Sequence, residues 1–230
     1  MTHKPKQQTS IERICSEVVK SKGYNLEIIR PKERFDINMN LLIEQFYQVA
    51  LDSFAKHLPF EAISSRTAHS DLILVIKDPN NKIVGYSVND IINVDEQTKA
   101  NIFSTALFRR EIQGKRLYPT INKLRVYLLP QANALVTRTQ NPIVFRKFSN
   151  LAKEHNYEIY PNDQKPTPKI IQIAKAYDPN VTENLISKGV YFGRSLMDDT
   201  PEPKTETEKQ IWSKLDINQG DGVVIVGYKN

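Results

Sequence analysis

Residues 100–129 form the stretch whose residue types and spacing are best suited to chemistry. The sequence ANIFSTALFRREIQGKRLYPTINKLRVYLL begins as an apolar, β-prone run, passes through a charged loop around Gly114, and resumes at Leu117 with apolar residues at helical spacing. The first turn of a helix has unpaired backbone N–H groups and the positive end of the helix dipole, so this joint predicts a phosphate-binding loop. Pro119 suits a first helical turn. An ordinary strand–loop–helix joint with solvated charges remains the alternative.

The composition is that of a globular protein with a basic balance. The 230 residues are 40% hydrophobic and 25% charged, with a formal net charge of +6, which permits an anionic partner. The N-terminal residues MTHKPKQQTS lack the apolar core of a signal peptide, and no apolar run is long enough to span a membrane. We therefore expect a cytoplasmic protein without membrane association. The single cysteine, Cys15, excludes an internal disulfide and is expected to be a buried or half-buried thiol on a helix.

Periodicity and turn signals predict the order of the elements. The clearest is a hairpin, in which Asp78-Pro79-Asn80-Asn81 joins two apolar runs. A polar connection is expected over 89–99. Helices are expected at 9–21, 39–54, 117–128, 142–156, 169–177 and 205–215, and strands at 24–30, 72–76, 83–88, 102–109, 134–139, 157–160 and 222–228.

This order predicts an α/β fold with a mixed, mostly antiparallel central sheet flanked by helices. A doubly wound fold would alternate strand and helix throughout, which the hairpin prevents. Residues 1–22 are interpreted as a tail and helix, and 23–230 as a single domain. Within it, 161–218 is a proline-punctuated insertion or substrate-side subregion, and 219–230 carries the final strand, which we expect to join the main sheet.

The chain resembles the GNAT superfamily of N-acetyltransferases over about 24–160 and the last strand. The hairpin 72–88 stands where that fold has its second and third strands. The run 113–118, QGKRLY, partly matches the acyl-CoA pyrophosphate loop, Gln/Arg-x-x-Gly-x-Gly/Ala, and 138–142, RTQNP, followed by an apolar helix, resembles the family's strand–Asn–helix element. Arg116 and Tyr118 replace the two later small residues of the loop pattern, which crowds it, although Arg116 could contact phosphate directly.

The resemblance implies an acyl-CoA-dependent N-acyltransferase with acetyl-CoA, or another acyl-CoA, as cosubstrate and an amine of a small molecule or a protein as acceptor. Attack would be direct, in a ternary complex. The resemblance implies three groups of cosubstrate-binding residues. The main chain of the central strand would contribute Ala106, Leu107 and Phe108, and the loop would contribute Gln113, Gly114, Lys115, Arg116 and Leu117. Asn141 would hydrogen-bond the pantetheine or the neighbouring backbone. Asn141 suits equally well the role of helix cap ahead of Pro142.

The residues that move protons are not identified by the sequence. In many family members a tyrosine seven residues after the asparagine acts as general acid, and this chain has Phe148 at that position. The predicted strands 102–109 and 134–139 also lack the carboxylate that often serves as base. His69 and Tyr191 are candidates, with a surface loop and core packing as their respective alternatives. Deprotonation through water without a dedicated acid is a further alternative. We therefore assign no catalytic residue.

Other chemistries have less support in the sequence. The histidines His3, His57, His69 and His155 are far apart and no Cys-x-x-Cys occurs, so no metal site is predicted. Two alternatives to the acyltransferase stay open: an acyl-CoA-binding module without turnover, and an enzyme that modifies nucleic acid or an associated protein. A nucleic-acid partner is disfavoured because the basic residues are scattered. The acceptor, the acyl chain length and the oligomeric state are not predicted.

Overall fold

The computed structural model describes residues 10–33, 36–54 and 58–229. Seven helices and eight strands are formed over these residues. The helices are α1 (Ser10–Lys20), α2 (Met39–Phe54), α3 (Glu61–Thr67), α4 (Leu117–Tyr127), α5 (Pro142–Glu154), α6 (Pro168–Tyr177) and α7 (Glu206–Trp212). The strands are β1 (Asn25–Ile29), β2 (Leu72–Lys77), β3 (Ile83–Asn93), β4 (Lys99–Phe108), β5 (Ala134–Thr139), β6 (Glu158–Tyr160), β7 (Ile186–Ser187) and β8 (Gly222–Tyr228).

All eight strands belong to one sheet with the order β1-β2-β3-β4-β5-β8-β6, and β7 pairs with β8 beside this path. Every pairing is antiparallel except that of β4 with β5. The expectation of a mixed, mostly antiparallel sheet flanked by helices, with an insertion before the last strand, is confirmed. The domain boundaries interpreted from the sequence stay predictions.

The helices cover the two faces of the sheet and bury the apolar stripes that the periodicity predicts. On one face, α1 and α4 pack on β1 and β2, and α5 packs beside α4. On the other face, α2 and α3 pack on β2 and β3, and α6 packs on β5 and β8. Residues 222–227 of β8 are buried because the strand lies between β5 and β6 and is covered from both sides.

The polar connection expected over 89–99 is wrong for most of its length. Strand β3 runs on to Asn93 and β4 already begins at Lys99. Asn89 of this stretch is buried inside the sheet, where its Nδ2 donates to Oδ1 of the buried Asn101 of β4 at 2.5 Å. Paired polar groups tolerate burial, so the polarity of this stretch was a poor sign of a loop.

The segment after α2 also differs from the expectation of a loop around His69. Helix α3 forms there, with Ile63 and Thr67 buried, and His69 follows it on an exposed position. The buried hydroxyl of Thr67 has a hydrogen-bond partner, since Oγ1 donates to the carbonyl of Ile63 at 2.8 Å. A helix of seven residues has too few turns to show a clear period in the sequence, which explains why it was missed.

Candidate functional site

The sheet opens between β4 and β5. The two strands pair in parallel only from Ala100 to Ile102 on β4, opposite Ala134 to Val136 on β5. Beyond that point the Thr137 hydroxyl donates to the carbonyl of Phe103 at 3.1 Å. A side chain thus replaces the next rung of the ladder, and the ends of β4 and β5 separate into a cleft through the sheet.

A bulge in β4 lies at the start of this opening. Val88 is paired with Thr105 and Asn89 with Phe103, so Ser104 has no partner across β3. The hydroxyl of Ser104 donates to Asp90 Oδ2 at 2.6 Å. An extra residue bends and twists the strand that carries it, which directs the end of β4 away from β5.

Arg125 of α4 holds the bulged backbone in position. Its Nη2 donates to the carbonyls of Val88, at 2.8 Å, and Thr105, at 3.0 Å, and its Nε donates to Asn89 Oδ1 at 2.5 Å. The guanidinium also lies 4.1 Å from the centre of the Phe103 ring. Burial lowers the pKa of Arg125 to about 9. No carboxylate among the described residues pairs with the guanidinium, which instead donates to the carbonyls of β3 and β4 on either side of the bulge.

Two adjoining cavities occupy the cleft. The first, of about 210 Å³, lies between the separated strands and reaches both faces of the sheet, and Ala106, Leu107 and Asn141 are among its lining residues. The second, of about 270 Å³, lies at the N-terminus of α4. Tyr118 and Val144 line both cavities. The two cavities therefore adjoin at these two side chains, between the α4 loop and the far face of the sheet.

The second cavity collects the central residues of the predicted loop. Its lining includes Phe108, Gln113, Gly114, Arg116 and Leu117. Lys115 lines neither cavity: its Nζ is 2.5 Å from the Tyr24 hydroxyl and 5.0 Å from the centre of that ring. Of the nine residues named from the sequence, eight thus lie around the cleft, and Lys115 points away from it.

The loop backbone has the shape of an anion site. Gly114 has φ of 83° and Arg116 has φ of 57°, both in the left-handed region. No side chain caps α4, so its first N–H groups have no side-chain acceptor. Gln113 stabilises the segment between β4 and α4, because its Nε2 donates to the carbonyl of Phe108 at 3.0 Å. The left-handed φ of Arg116 explains why a small residue is favoured at that position of the family pattern.

Asn141 caps α5, which is one of the two roles that the sequence allowed for it. Its Oδ1 accepts from the N–H of Ile143 at 2.8 Å, and its own N–H donates to Thr139 Oγ1 at 2.9 Å. Asn141 also lines the first cavity, where its Nδ2 group is available to a bound molecule.

The groups around the cleft that exchange protons are few. Phe148 is buried, 1% exposed, with its ring centre 5.2 Å from that of Phe103 in an edge-to-face contact. His69 does not line the cleft. Tyr118 does, at the junction of the two cavities, and burial raises its pKa while a hydrogen bond with Asn122 and the charge of Arg125 oppose that rise. Sequence reasoning saw Tyr118 only as a crowding residue.

A segment from the insertion covers the far side of the cleft. Tyr191, Phe192, Leu196 and Met197 reach the cavity from this segment, residues 189–197. The buried side chain of Gln140, just after β5, clamps it in place: Oε1 accepts from the N–H of Leu196 at 3.0 Å, and Nε2 donates to the carbonyl of Asp221 at 3.0 Å. No sequence signal pointed to this clamp, because its partners are more than 50 residues away.

Asp221 fixes the other end of the covering segment. It accepts from Lys188 Nζ at 2.6 Å, from the N–H of Gly189 at 3.1 Å and from the N–H of Asp216 at 2.9 Å. Burial opposes its ionisation, but these donors hold the pKa of Asp221 below its ordinary value. The covering segment is therefore attached at both ends to residues next to the central strands.

Other potential sites can be reported briefly. Cys15 is a free, buried thiol that packs α1 against α4, and burial raises its pKa. Within the described ranges, no three or more His, Cys, Asp or Glu side chains are grouped so as to hold a metal ion; His3 and His57 lie outside those ranges. No helix over the same residues has the length and apolar character needed to cross a membrane.

Comparison with known proteins rests on structure alone. No protein-family model matches the sequence, and no curated protein sequence matches it either. The ribosomal-protein-S18-alanine N-acetyltransferase of Escherichia coli aligns with a TM-score of 0.50 and 7% identity, over 90% of this chain and 95% of that one. This likeness concerns the fold.

Two further structures give lower scores. The diaminobutyrate acetyltransferase of Paenibacillus lautus has a TM-score of 0.49 and 9% identity, over 90% of this chain and 96% of that one. A GNAT family acetyltransferase of Elizabethkingia anophelis has a TM-score of 0.46 and 13% identity, over 90% and 99%. On the likeness to the Escherichia coli enzyme, the chain has the fold of the GNAT superfamily of N-acetyltransferases.

Proposed function

We propose that the protein is an acyl-CoA-dependent N-acyltransferase that transfers an acetyl group from acetyl-CoA to a primary amine of a small molecule or a protein. One observation carries the proposal: the cavity between the ends of β4 and β5 adjoins the cavity at the α4 N-terminus, and Tyr118 and Val144 line both. Two adjoining cavities of this kind suit a long cosubstrate with an anionic end and a reactive end. The shared fold supports the proposal.

In this proposal the α4 loop binds the pyrophosphate. The N–H groups of Gly114, Arg116 and Leu117 and the positive end of the α4 dipole supply the attraction. Arg116 and Lys147 are the cations that line the second cavity, whereas Lys115 is engaged with Tyr24. The pantetheine arm lies along 106–108 of β4, whose edge faces the cleft because β5 has separated from it. Asn141 holds the arm from the opposite wall.

The chemistry then needs little from side chains. A neutral amine attacks the thioester carbon, the C–N bond forms, the C–S bond breaks, and a main-chain N–H of β4 stabilises the oxyanion. The amine loses its proton to water. The departing thiolate takes a proton, for which we propose the Tyr118 hydroxyl, because it lines the cleft where Phe148 has no proton to give.

Thermal unfolding with and without acetyl-CoA tests the binding step. Millimolar acetyl-CoA is expected to raise Tm, and Gly114→Glu is expected to abolish that rise by placing a negative charge at the pyrophosphate site. Gly23→Glu is the matched control: both glycines have φ of 83° and nothing within 4 Å of an added Cβ, but Gly23 lines neither cavity. An unchanged melting curve for the native chain would overturn the proposal.

A second function is favoured by one observation, the buried Phe148. A chain with this fold but without the family's usual acid could bind acyl-CoA without turnover. Release of free CoA thiol, measured over a panel of primary amines, distinguishes the two functions. Saturable acetyl-CoA binding without thiol release would support the binding module, and thiol release with any amine would exclude it.

A further inference from the structure

The charges that line the first cavity have one sign. Three arginines, Arg66, Arg125 and Arg138, belong to its lining, and none of the described residues that line it is an aspartate or a glutamate. A substrate that carried only an ammonium group would therefore meet guanidinium groups and no anion. The electrostatics of the cavity favour a ligand with a negative group.

Arg138 of β5 is held so that part of its guanidinium stays available. Its Nη1 pairs with Asp178 Oδ2 at 3.1 Å, and its side chain is 12% exposed. The guanidinium lies 5.5 Å from the ring centre of Tyr177 and 5.5 Å from that of Tyr191, so the two rings restrict its orientation. Asp178 also accepts the hydroxyl of Ser187. The Tyr191 hydroxyl also hydrogen-bonds the Arg138 side chain, so one carboxylate and one hydroxyl fix the arginine.

The Nε atom of Arg138 is an unsatisfied hydrogen-bond donor within the part of the chain that the structure describes. It is buried and has no hydrogen-bond partner among the described residues. A buried donor of a charged group is costly to leave unpaired, and this arginine lines the cavity. An acceptor atom from a ligand in the cavity would complete its hydrogen bonding.

Arg66 of α3 supplies a second cation from another wall. It is half-buried and lines the same cavity. Burial raises the pKa of Tyr191, and the charges of Arg138 and Arg66 both oppose that rise. Both cations therefore act on the space beside the Tyr191 ring, where Phe192 adds a second aromatic group.

From this arrangement we infer that the acceptor is an amine that also carries a carboxylate, bound by Arg138 and Arg66 beside Tyr191. The inference rests on the proposed function and names the substrate class for that site. A carboxylate is a planar acceptor that matches guanidinium donors. The same positive field favours the neutral form of the attacking amine, which suits a cleft whose described lining has no carboxylate base.

Paired acceptors test the inference. Each pair has the same amine remote from a carboxylate or its neutral amide: 4-(aminomethyl)benzoate with 4-(aminomethyl)benzamide, and 6-aminohexanoate with its amide. Two quantities are measured on the full chain, the rate of CoA release with acetyl-CoA and the equilibrium binding of each compound by calorimetry. The carboxylate member is expected to be preferred about 10-fold or more in at least one pair. No preference, or preference for the amides, overturns the inference.

Two variants locate the preference. Arg66→Gln lies on a half-buried position and is expected to keep the fold while reducing the carboxylate preference about 10-fold. Arg138→Lys keeps a charge but lacks the Nε donor, and the same loss is expected. Lys153→Gln, an exposed cation of α5 away from the cavity, is the control and leaves the preference unchanged. A preference that survives both arginine variants overturns the inference.

The outcomes separate this inference from the proposed function. If acetyl-CoA neither binds nor turns over, the acyltransferase proposal fails, while carboxylate binding is still read from calorimetry without acetyl-CoA. If amines are acetylated with no regard to the carboxylate, the acyltransferase proposal holds and the inference fails. Each measurement thus decides its own claim.

Discussion

The two walls of the cleft are built by different means. On the cosubstrate wall, β4, the Gly114 loop and the start of α4 are consecutive in the chain, and the groups proposed to bind are mostly backbone N–H. On the acceptor wall, Arg66, Arg138 and Tyr191 come from three distant segments, and the groups proposed to bind are side chains. A wall made of main chain depends on the contacts that fix its backbone conformation. A wall made of distant side chains depends on what holds the segments together.

Arg125→Met is expected to have the largest effect, because this residue stabilises the backbone of the cosubstrate wall. Its loss leaves the carbonyls of Val88 and Thr105 and the amide oxygen of Asn89 without their charged donor in a buried site. We expect the free energy of unfolding to fall by about 3 kcal/mol, measured by urea denaturation. Arg13→Met, at an exposed position of α1, is the control. If the free energy of unfolding falls by less than about 1 kcal/mol, the bulge keeps its conformation without Arg125.

Tyr118→Phe separates chemistry from binding on the same wall. If its hydroxyl gives the proton to the thiolate, kcat is expected to fall about 100-fold, with the affinity for acetyl-CoA unchanged. The measurement is steady-state CoA release together with calorimetric binding. Tyr127→Phe, also on α4 but outside both cavities, should leave both quantities as they are. An unaltered kcat for Tyr118→Phe would exclude the proposed proton donor.

Gln140→Ala tests whether the acceptor wall depends on its clamp. Without the bonds to Leu196 and Asp221, the segment 189–197 is expected to exchange its amide hydrogens faster, and KM for the amine to rise about 10-fold. The affinity for acetyl-CoA should not change, because the other wall is intact. Hydrogen exchange and steady-state kinetics check this, with exposed Gln97→Ala as control. Equal weakening of both substrates would show that the two walls are not independent.

The smallest effect concerns the attachment of α7 beside the acceptor wall, and it depends on pH. Arg146 holds the pKa of Glu208 below its ordinary value through hydrogen bonds of 2.8 and 2.7 Å, although the burial of Glu208 opposes this. The stabilisation is therefore complete above the unfolded-state pKa of about 4.3 and is lost as pH falls through the lower folded-state value.

Urea midpoints measured from about pH 6 to pH 3 check this dependence. We expect Glu208→Gln to be less stable than the native chain at pH 6, and the difference to shrink below about pH 4. Glu206→Gln, which removes the exposed partner of Lys209, should change little at any pH. A difference that is constant with pH would assign the effect of Glu208 to packing rather than charge.

The sequence was informative wherever one segment makes its own contacts. The Asp78–Asn81 hairpin, the long stripe of α2 and the β4–loop–α4 joint are all set by turn chemistry or by short-range periodicity, and the structure contains them. It was misleading where polar residues suggested a loop, since Asn89 and Asn101 are buried in neighbouring strands. Their partner Arg125 is 24 residues beyond Asn101, so no local pattern could indicate that their polarity was satisfied.

The sequence by itself determined most of the order of the elements, the mixed sheet and the glycine-bearing loop before α4. These follow from hydrophobic periods and from the conformations that glycine, proline and asparagine allow. Only the tertiary structure decided that β4 and β5 separate after three paired residues, that Lys115 turns to Tyr24, and that Arg66, Arg138 and Tyr191 share one cavity. Such placements depend on contacts between residues far apart in the chain, which packing selects and a local pattern does not encode.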